Sequence, residues 1–225
     1  MRLNPRAAAL AFLPLALLAA SAAFAVNLHG SGRSVTGSRA VSGYTGIALA
    51  IPGKLEVVQD GTESVSITAD DNVLPEIESV VDGGVLKLRF RQRFGAVTDT
   101  RIRVTVHARA LESLLLAGSG DIRATRLEAP RLAVKVAGSG DIVLSGRADA
   151  LELNISGSGK VEAAKLDTKR AKISIAGSGD AVLWTREALS VRVAGSGDIR
   201  YYGDPTLEKT IVGSGSVKRL GGAPA

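Results

Sequence analysis

Cysteine is absent from the 225 residues. Its absence excludes disulfides, thiolate metal sites and a lipid-modified cysteine within this sequence. Aromatic residues make up only 4% of the chain, with a single Trp. Few aromatics and a net charge of only +6 argue against a nucleic-acid partner, which calls for a strong basic footprint and stacking platforms. Histidine occurs only as His29 and His107. No Ser/His/Asp set, metal cluster or phosphate-binding loop is visible, so the sequence indicates no cofactor and no metal. Helical periodicity is missing too, apart from one possible turn at Asn72-Val73-Leu74-Pro75. What is plentiful is glycine, 26 residues of it, alongside Val, Ile, Ser and Thr. That mixture belongs to an all-β chain with many turns.

Residues 1–25 stand apart. Arg2 and Arg6 give a basic start, Ala7 to Ala20 is apolar, and Ala23-Phe24-Ala25 is a small-x-small cleavage pattern. These are the parts of a secretory signal peptide. Cleavage after Ala25 removes two Arg and no acid, lowering the net charge from +6 to +4. The chain is therefore expected to be exported, to the periplasm or the medium, with no transmembrane run after cleavage. Residues 26–40 are rich in Gly and Ser and are expected to form a flexible leader.

The strongest pattern is a repeat. Gly118-Ser119-Gly120-Asp121-Ile122 returns as Gly138-Ser139-Gly140-Asp141-Ile142 and Gly157-Ser158-Gly159-Lys160-Val161. Further copies are Gly177-Ser178-Gly179-Asp180-Ala181, Gly195-Ser196-Gly197-Asp198-Ile199 and Gly213-Ser214-Gly215-Ser216-Val217. The spacings are 20, 19, 20, 18 and 18 residues, a period that marks a repeat architecture. Two residues before each triplet stand Leu116, Val136, Ile155, Ile175, Val193 and Ile211. Four before stand Leu114, Val134, Leu153, Ile173 and Val191, and then, against the rule, Lys209. Period-two alternation means a strand with one buried face. Each repeat therefore reads as strand, Gly-Ser-Gly corner, strand and return loop. One copy cannot bury its apolar face alone, so copies must stack and share a column of aliphatic side chains. The expected fold is a right-handed parallel β-helix, or β-solenoid, over residues 111–220, with a tail at 221–225.

Residues 41–110 lack the triplet and read as an N-terminal β region. Strands are expected at 54–59, 64–69, 77–81, 85–93 and 101–108, with Asp82-Gly83-Gly84 as a hairpin turn. Lys87, Arg89, Arg91 and Arg93 alternate with Leu86, Leu88 and Phe90, while Arg101, Arg103 and His107 alternate with Ile102, Val104 and Val106. Pairing of these two strands would make one basic patch of Arg89, Arg91, Arg93, Arg101 and Arg103. Such a patch could hold the phosphate or carboxylate groups of an envelope polymer. It could equally be a solvated face whose charges protect a sheet edge.

The row Asp121, Asp141, Asp180 and Asp198 admits three readings: caps on local backbone amides, calcium ligands, or the stacked carboxylates of a polysaccharide lyase or hydrolase. Calcium takes several oxygens per ion, and each coil offers one Asp, with Lys160 and Ser216 interrupting the row. Lys160 would pair with Asp141 or Asp180. A glycosidase needs two carboxylates in a cleft, and coils of 18–20 residues carry no insertion to wall one. The capping reading is favoured. Trp184 and Tyr202 could stack on sugar rings, with Tyr201 packing in the core.

The Gly-Ser-Gly-Asp-Ile repeats resemble the bacterial putative auto-transporter adhesin family, also called the head GIN domain. The opening Tyr44-Thr45-Gly46-Ile47 and the segment VVQDGTESVSITAD are similar to it, as is the ending Tyr202-Gly203-Asp204-Pro205. The resemblance spans about residues 39–220. It implies an exported β-helical protein and supplies no catalytic residues. The expected function is non-catalytic binding to an envelope glycan, lipid headgroup or protein; self-association of edge coils is a further possibility. A β-helical lyase or hydrolase using the stacked Asp is the alternative.

Overall fold

The computed structural model describes residues 27–224; the expected signal peptide lies outside them. In chain order the strands are β1 (Leu28–His29), β2 (Ser34–Arg39), β3 (Gly46–Leu49), β4 (Lys54–Gln59) and β5 (Ser64–Asp70). After a single 3-10 turn at Leu74–Glu76 come β6 (Ile77–Asp82), β7 (Val85–Phe90), β8 (Val97–Thr98) and β9 (Arg103–Ala108). The repeats supply β10 (Ser113–Gly118), β11 (Asp121–Gly138), β12 (Ile142–Gly157), β13 (Lys160–Gly177) and β14 (Asp180–Gly195). The last coil is split into β15 (Asp198–Tyr202), β16 (Thr206–Gly213) and β17 (Ser216–Gly221).

The chain is a β-solenoid, and the alternation read from the sequence is what stacks it. On one face Leu88, Leu49, Leu116, Val136, Ile155, Ile175, Val193 and Ile211 lie in parallel register, each beside the next. After the corner a second column runs Val104, Leu55, Ile122, Ile142, Val161, Ala181, Ile199 and Val217. Through the middle of the rod these side chains are fully buried. Each buried Leu, Ile or Val contributes about 1.5–3 kcal/mol relative to exposure. The Gly-Ser-Gly corners stack in line, as the register of Gly118 with Gly138, Gly157, Gly177, Gly195 and Gly213 shows.

Glycine is required twice in each corner. Gly138 has φ of 135°, a backbone conformation that L side chains rarely adopt. Gly140 has no such φ, but a Cβ there would run into the carbonyl oxygen of Gly120 and the side chain of Leu116. The first glycine makes the turn and the second lets one corner lie on the next.

Three expectations need correction. The return between coils is not a loop: β11 to β14 are each continuous from one corner to the next. The chain turns instead at register shifts, where Arg126 has φ of 58° and Gly146 φ of 130°. Residues 34–39, expected in a flexible leader, form β2 and pair antiparallel with β5. Only Val35 marked this strand as apolar, which is why the leader looked unpatterned. Finally, the stack does not start at residue 111. β3 pairs in parallel with β10, and β4 with β11, so both columns continue into the N-terminal region. Beyond β3 and β4 lie β7 and β9, and beyond those the antiparallel strands β6, β5 and β2 close the end.

Candidate functional site

The corner column changes at its N-terminal end. Ile51-Pro52-Gly53 takes the place of Gly-Ser-Gly between β3 and β4, and the Gly53 carbonyl accepts a 2.8 Å hydrogen bond from the Asp121 amide. One coil further, between β7 and β9, the connection widens to residues 91–102, bound back by a 3.0 Å bond from the Lys54 amide to the Ile102 carbonyl. This long corner makes two recesses. One, of about 650 Å³, is lined by Lys54, Arg101 and Arg103, with Ser34, Thr68 and Thr100. The other, of about 670 Å³, is lined by Arg89, Arg93, Phe94 and the corner residues Gly118 and Ser119. Pro52 and Val97 line both.

Four of the five candidate arginines line these recesses, Arg101 and Arg103 in the first and Arg89 and Arg93 in the second, while Arg91 lines neither. β7 and β9 do not pair: β7 lies between β6 and β3, and β9 between β4 and β5. In a solenoid the neighbour of a strand is one coil away, so strands adjacent in sequence fall on different faces. Arg89 is tied to Glu78 at 2.9 Å, and Arg91 Nε donates to the Pro75 carbonyl at 2.9 Å. Arg93, Arg101 and Arg103 are exposed. The Thr100 hydroxyl, in the first recess, is buried and has no hydrogen-bond partner within the protein. Phe94 packs edge-on against Phe90 with ring centroids 5.3 Å apart, which helps to fix the loop.

Two polar pairs brace this half of the chain. His107 Nδ1 lies 2.6 Å from Asp60, and with the Thr62 hydroxyl and amide it holds the Asp60 carboxyl at a pKa of about 2. The Tyr44 hydroxyl donates to the His107 carbonyl at 2.7 Å, and burial, helped by the Glu63 charge, pushes its pKa up to about 12.

Three members of the Asp row, Asp141, Asp180 and Asp198, are engaged with backbone one coil on. Asp141 accepts from the Lys160 amide at 3.0 Å, and Asp180 from the Asp198 amide at 2.9 Å. Asp198 accepts from both the amide and the hydroxyl of Ser216, at 2.9 and 2.7 Å. These bonds join coils where local caps had been expected. The Lys160 ammonium turns to Glu162 at 2.6 Å, not to Asp141 or Asp180. Carboxylates used this way are not a free acid–base pair, and no observation favours the lyase or hydrolase reading. Among the described residues no cluster of three or more His, Asp and Glu could hold a metal ion. Tyr201 is buried, while Trp184 and Tyr202 are half-buried on neighbouring coils.

Among the described residues no helix is long and apolar enough to cross a membrane. The family model for "putative auto-transporter adhesin, head GIN domain" matches residues 43–205. A putative adhesin from Bacteroides fragilis has the same fold, with a TM-score of 0.70 at 22% identity over 86% of this chain and 100% of that one. A putative lipid binding protein from Parabacteroides distasonis gives 0.60 at 23% identity, over 86% and 99% of the two chains. A putative adhesin from the same species gives 0.55 at 23%, over 86% and 100%. The comparison with curated proteins finds no match.

Proposed function

The chain belongs to the putative auto-transporter adhesin, head GIN domain family, and from that premise we propose that it is an exported, non-catalytic solenoid that binds anionic groups of the cell envelope at the widened corner. The observation that carries this reading is the recess lined by Lys54, Arg101 and Arg103. A ligand oxygen entering beside these three cations would accept charge-assisted hydrogen bonds from them. Phosphate of a lipid headgroup and carboxylate of a glycan or protein share this chemistry. The signal-peptide pattern of residues 1–25 supports export.

The test uses the triple variant R93S/R101S/R103S, all at exposed positions. Binding of the mature chain to vesicles with and without anionic phospholipid, to lipopolysaccharide and to an envelope-glycan array is compared with wild type. The reading predicts binding to at least one anionic surface and its loss by about tenfold or more in the variant. Equal binding by the two proteins to every one of these surfaces would overturn it.

A further inference from the structure

A second outward row runs along the register-shifted bend of the coils, away from the basic recesses. Glu128 stands beside Arg147, Arg147 beside Asp167, Asp167 beside Trp184, and Trp184 beside Tyr202. A shallow recess of about 400 Å³ opens along the first four, and Arg126 joins its wall.

The interior of this bend is altered where the row carries Asp167 and Trp184. The inward ladder reads Ala129, Ala148, Thr168, Thr185, so two alanines give way to two threonines. Both threonines are fully buried. Hydroxyls in an aliphatic column are unfavourable unless bonded. Here they are bonded to the backbone of the bend itself: Thr168 Oγ1 donates to the Trp184 carbonyl at 2.7 Å, and Thr185 Oγ1 to the Lys169 carbonyl at 3.2 Å. The threonines pin adjacent coils together at the backbone of Trp184 and Lys169.

The outer side is organised as well. The Asp167 carboxylate, 14% exposed, sits between Arg186 Nε at 2.9 Å and Arg147 Nε at 3.5 Å. The two guanidinium side chains remain 46% and 67% exposed. Asp167 Oδ1 is buried and makes no hydrogen bond, so these contacts are charge pairing, which keeps two cations beside the recess with their donors toward solvent. Arg126 occupies the register shift with φ of 58°, a left-handed conformation that costs a non-glycine residue about 1–2 kcal/mol. Glycine would be easier there, yet the position bears a third guanidinium.

We propose that this bend is a binding site for an acidic saccharide. The apolar face of one sugar ring lies on Trp184, and Tyr202, one coil on, continues the surface for the next ring. Arg126 and Arg147 take the uronate carboxylate in charge-assisted hydrogen bonds, beside the ion pair of Arg147 with Asp167. The site shares no lining residue with the two basic recesses, so it stands or falls independently of them.

Trp184 is the sole Trp of the chain, so its emission reports on this site alone. Full-length mature protein is titrated with oligogalacturonate and with maltooligosaccharide of matched length. A saturable emission change is expected with the acidic oligosaccharide, at an affinity about tenfold or more above that for the neutral one. R126G is expected to weaken binding about tenfold while the thermal midpoint stays level or rises, since glycine suits this backbone. W184A, followed by calorimetry, is expected to lose the heat of binding. R93S/R101S/R103S is expected to respond as wild type does. Absence of an emission change and of heat in the wild-type chain would overturn the proposal. So would wild-type affinity in R126G and W184A. Loss of oligogalacturonate binding only in the triple variant would also overturn it, while leaving the widened-corner reading intact.

Discussion

The two ends of the rod are finished in opposite ways. At the N-terminal end, the columns run out under antiparallel strands: β6 beside β7 on one face, β5 and then β2 beside β9 on the other. Tyr44, Val73 and Ile77 are buried there and complete the core. At the other end, the same ladder positions are filled by Leu207, Ile211 and Val217, all only partly buried. Lys209 occupies the place that Val191 fills one coil earlier, and it is exposed. An apolar side chain in a solenoid is fully buried only when a coil lies on each side of it. A closing structure must therefore replace the missing coil, or the last coil must tolerate water. This chain does the first at one end and the second at the other. A charge at an inward position of an edge strand also discourages another chain from adding there.

The comparison can be broken most sharply by equal cuts in the two settings. Leu153→Ala, in mid-rod, is expected to cost about 2–5 kcal/mol. Ile211→Ala, on the corresponding face of the last coil, should cost about 1 kcal/mol, because much less area leaves water. Denaturant unfolding of both variants measures the difference, and equal costs would contradict the open-end account. A smaller effect tests the charge. Lys209→Val extends the aliphatic ladder and should change stability by less than about 1 kcal/mol. It should, however, shift the protein toward dimers at high concentration, which light scattering reads. The smallest effect lies near the closed end and depends on pH. The Asp60 carboxyl has a folded pKa of about 2, below its ordinary 3.8. Its contribution is therefore present above about pH 4 and is lost as pH falls toward 2. Thermal midpoints of wild type and D60N should differ slightly near pH 5 and converge near pH 2.

Sequence was most informative where one rule repeats. Alternation around each triplet located the inward residues from Leu114 to Val193, because period two leaves one register that buries them all. Asp82-Gly83-Gly84 likewise placed the β6–β7 hairpin. The missed features depend on neighbours a coil away. Ser34 to Arg39 shows little apolar character of its own and is a strand because Val65 to Asp70 lies beside it. Arg89 and Arg103 lie on strands that do not pair and line two separate recesses, which share only Pro52 and Val97. The amide partners of Asp141, Asp180 and Asp198 lie 18 or 19 residues along the chain, beyond the reach of a local capping argument. The exchange of Ala148 for Thr168 shows in the sequence only after the bulges have been counted, since they shift the register by different amounts in different coils.

The in-line column of corners is the claim on which the rest stands, and the absence of cysteine makes it directly measurable. Cysteine pairs introduced at Ser119 with Ser178, Ser196 or Ser214 can carry spin labels without background. Pulsed dipolar spectroscopy should give mean distances that lengthen by about 4.8 Å for each added coil, the spacing of hydrogen-bonded strands. Distances that stay constant or fall as coils are added would contradict the stack.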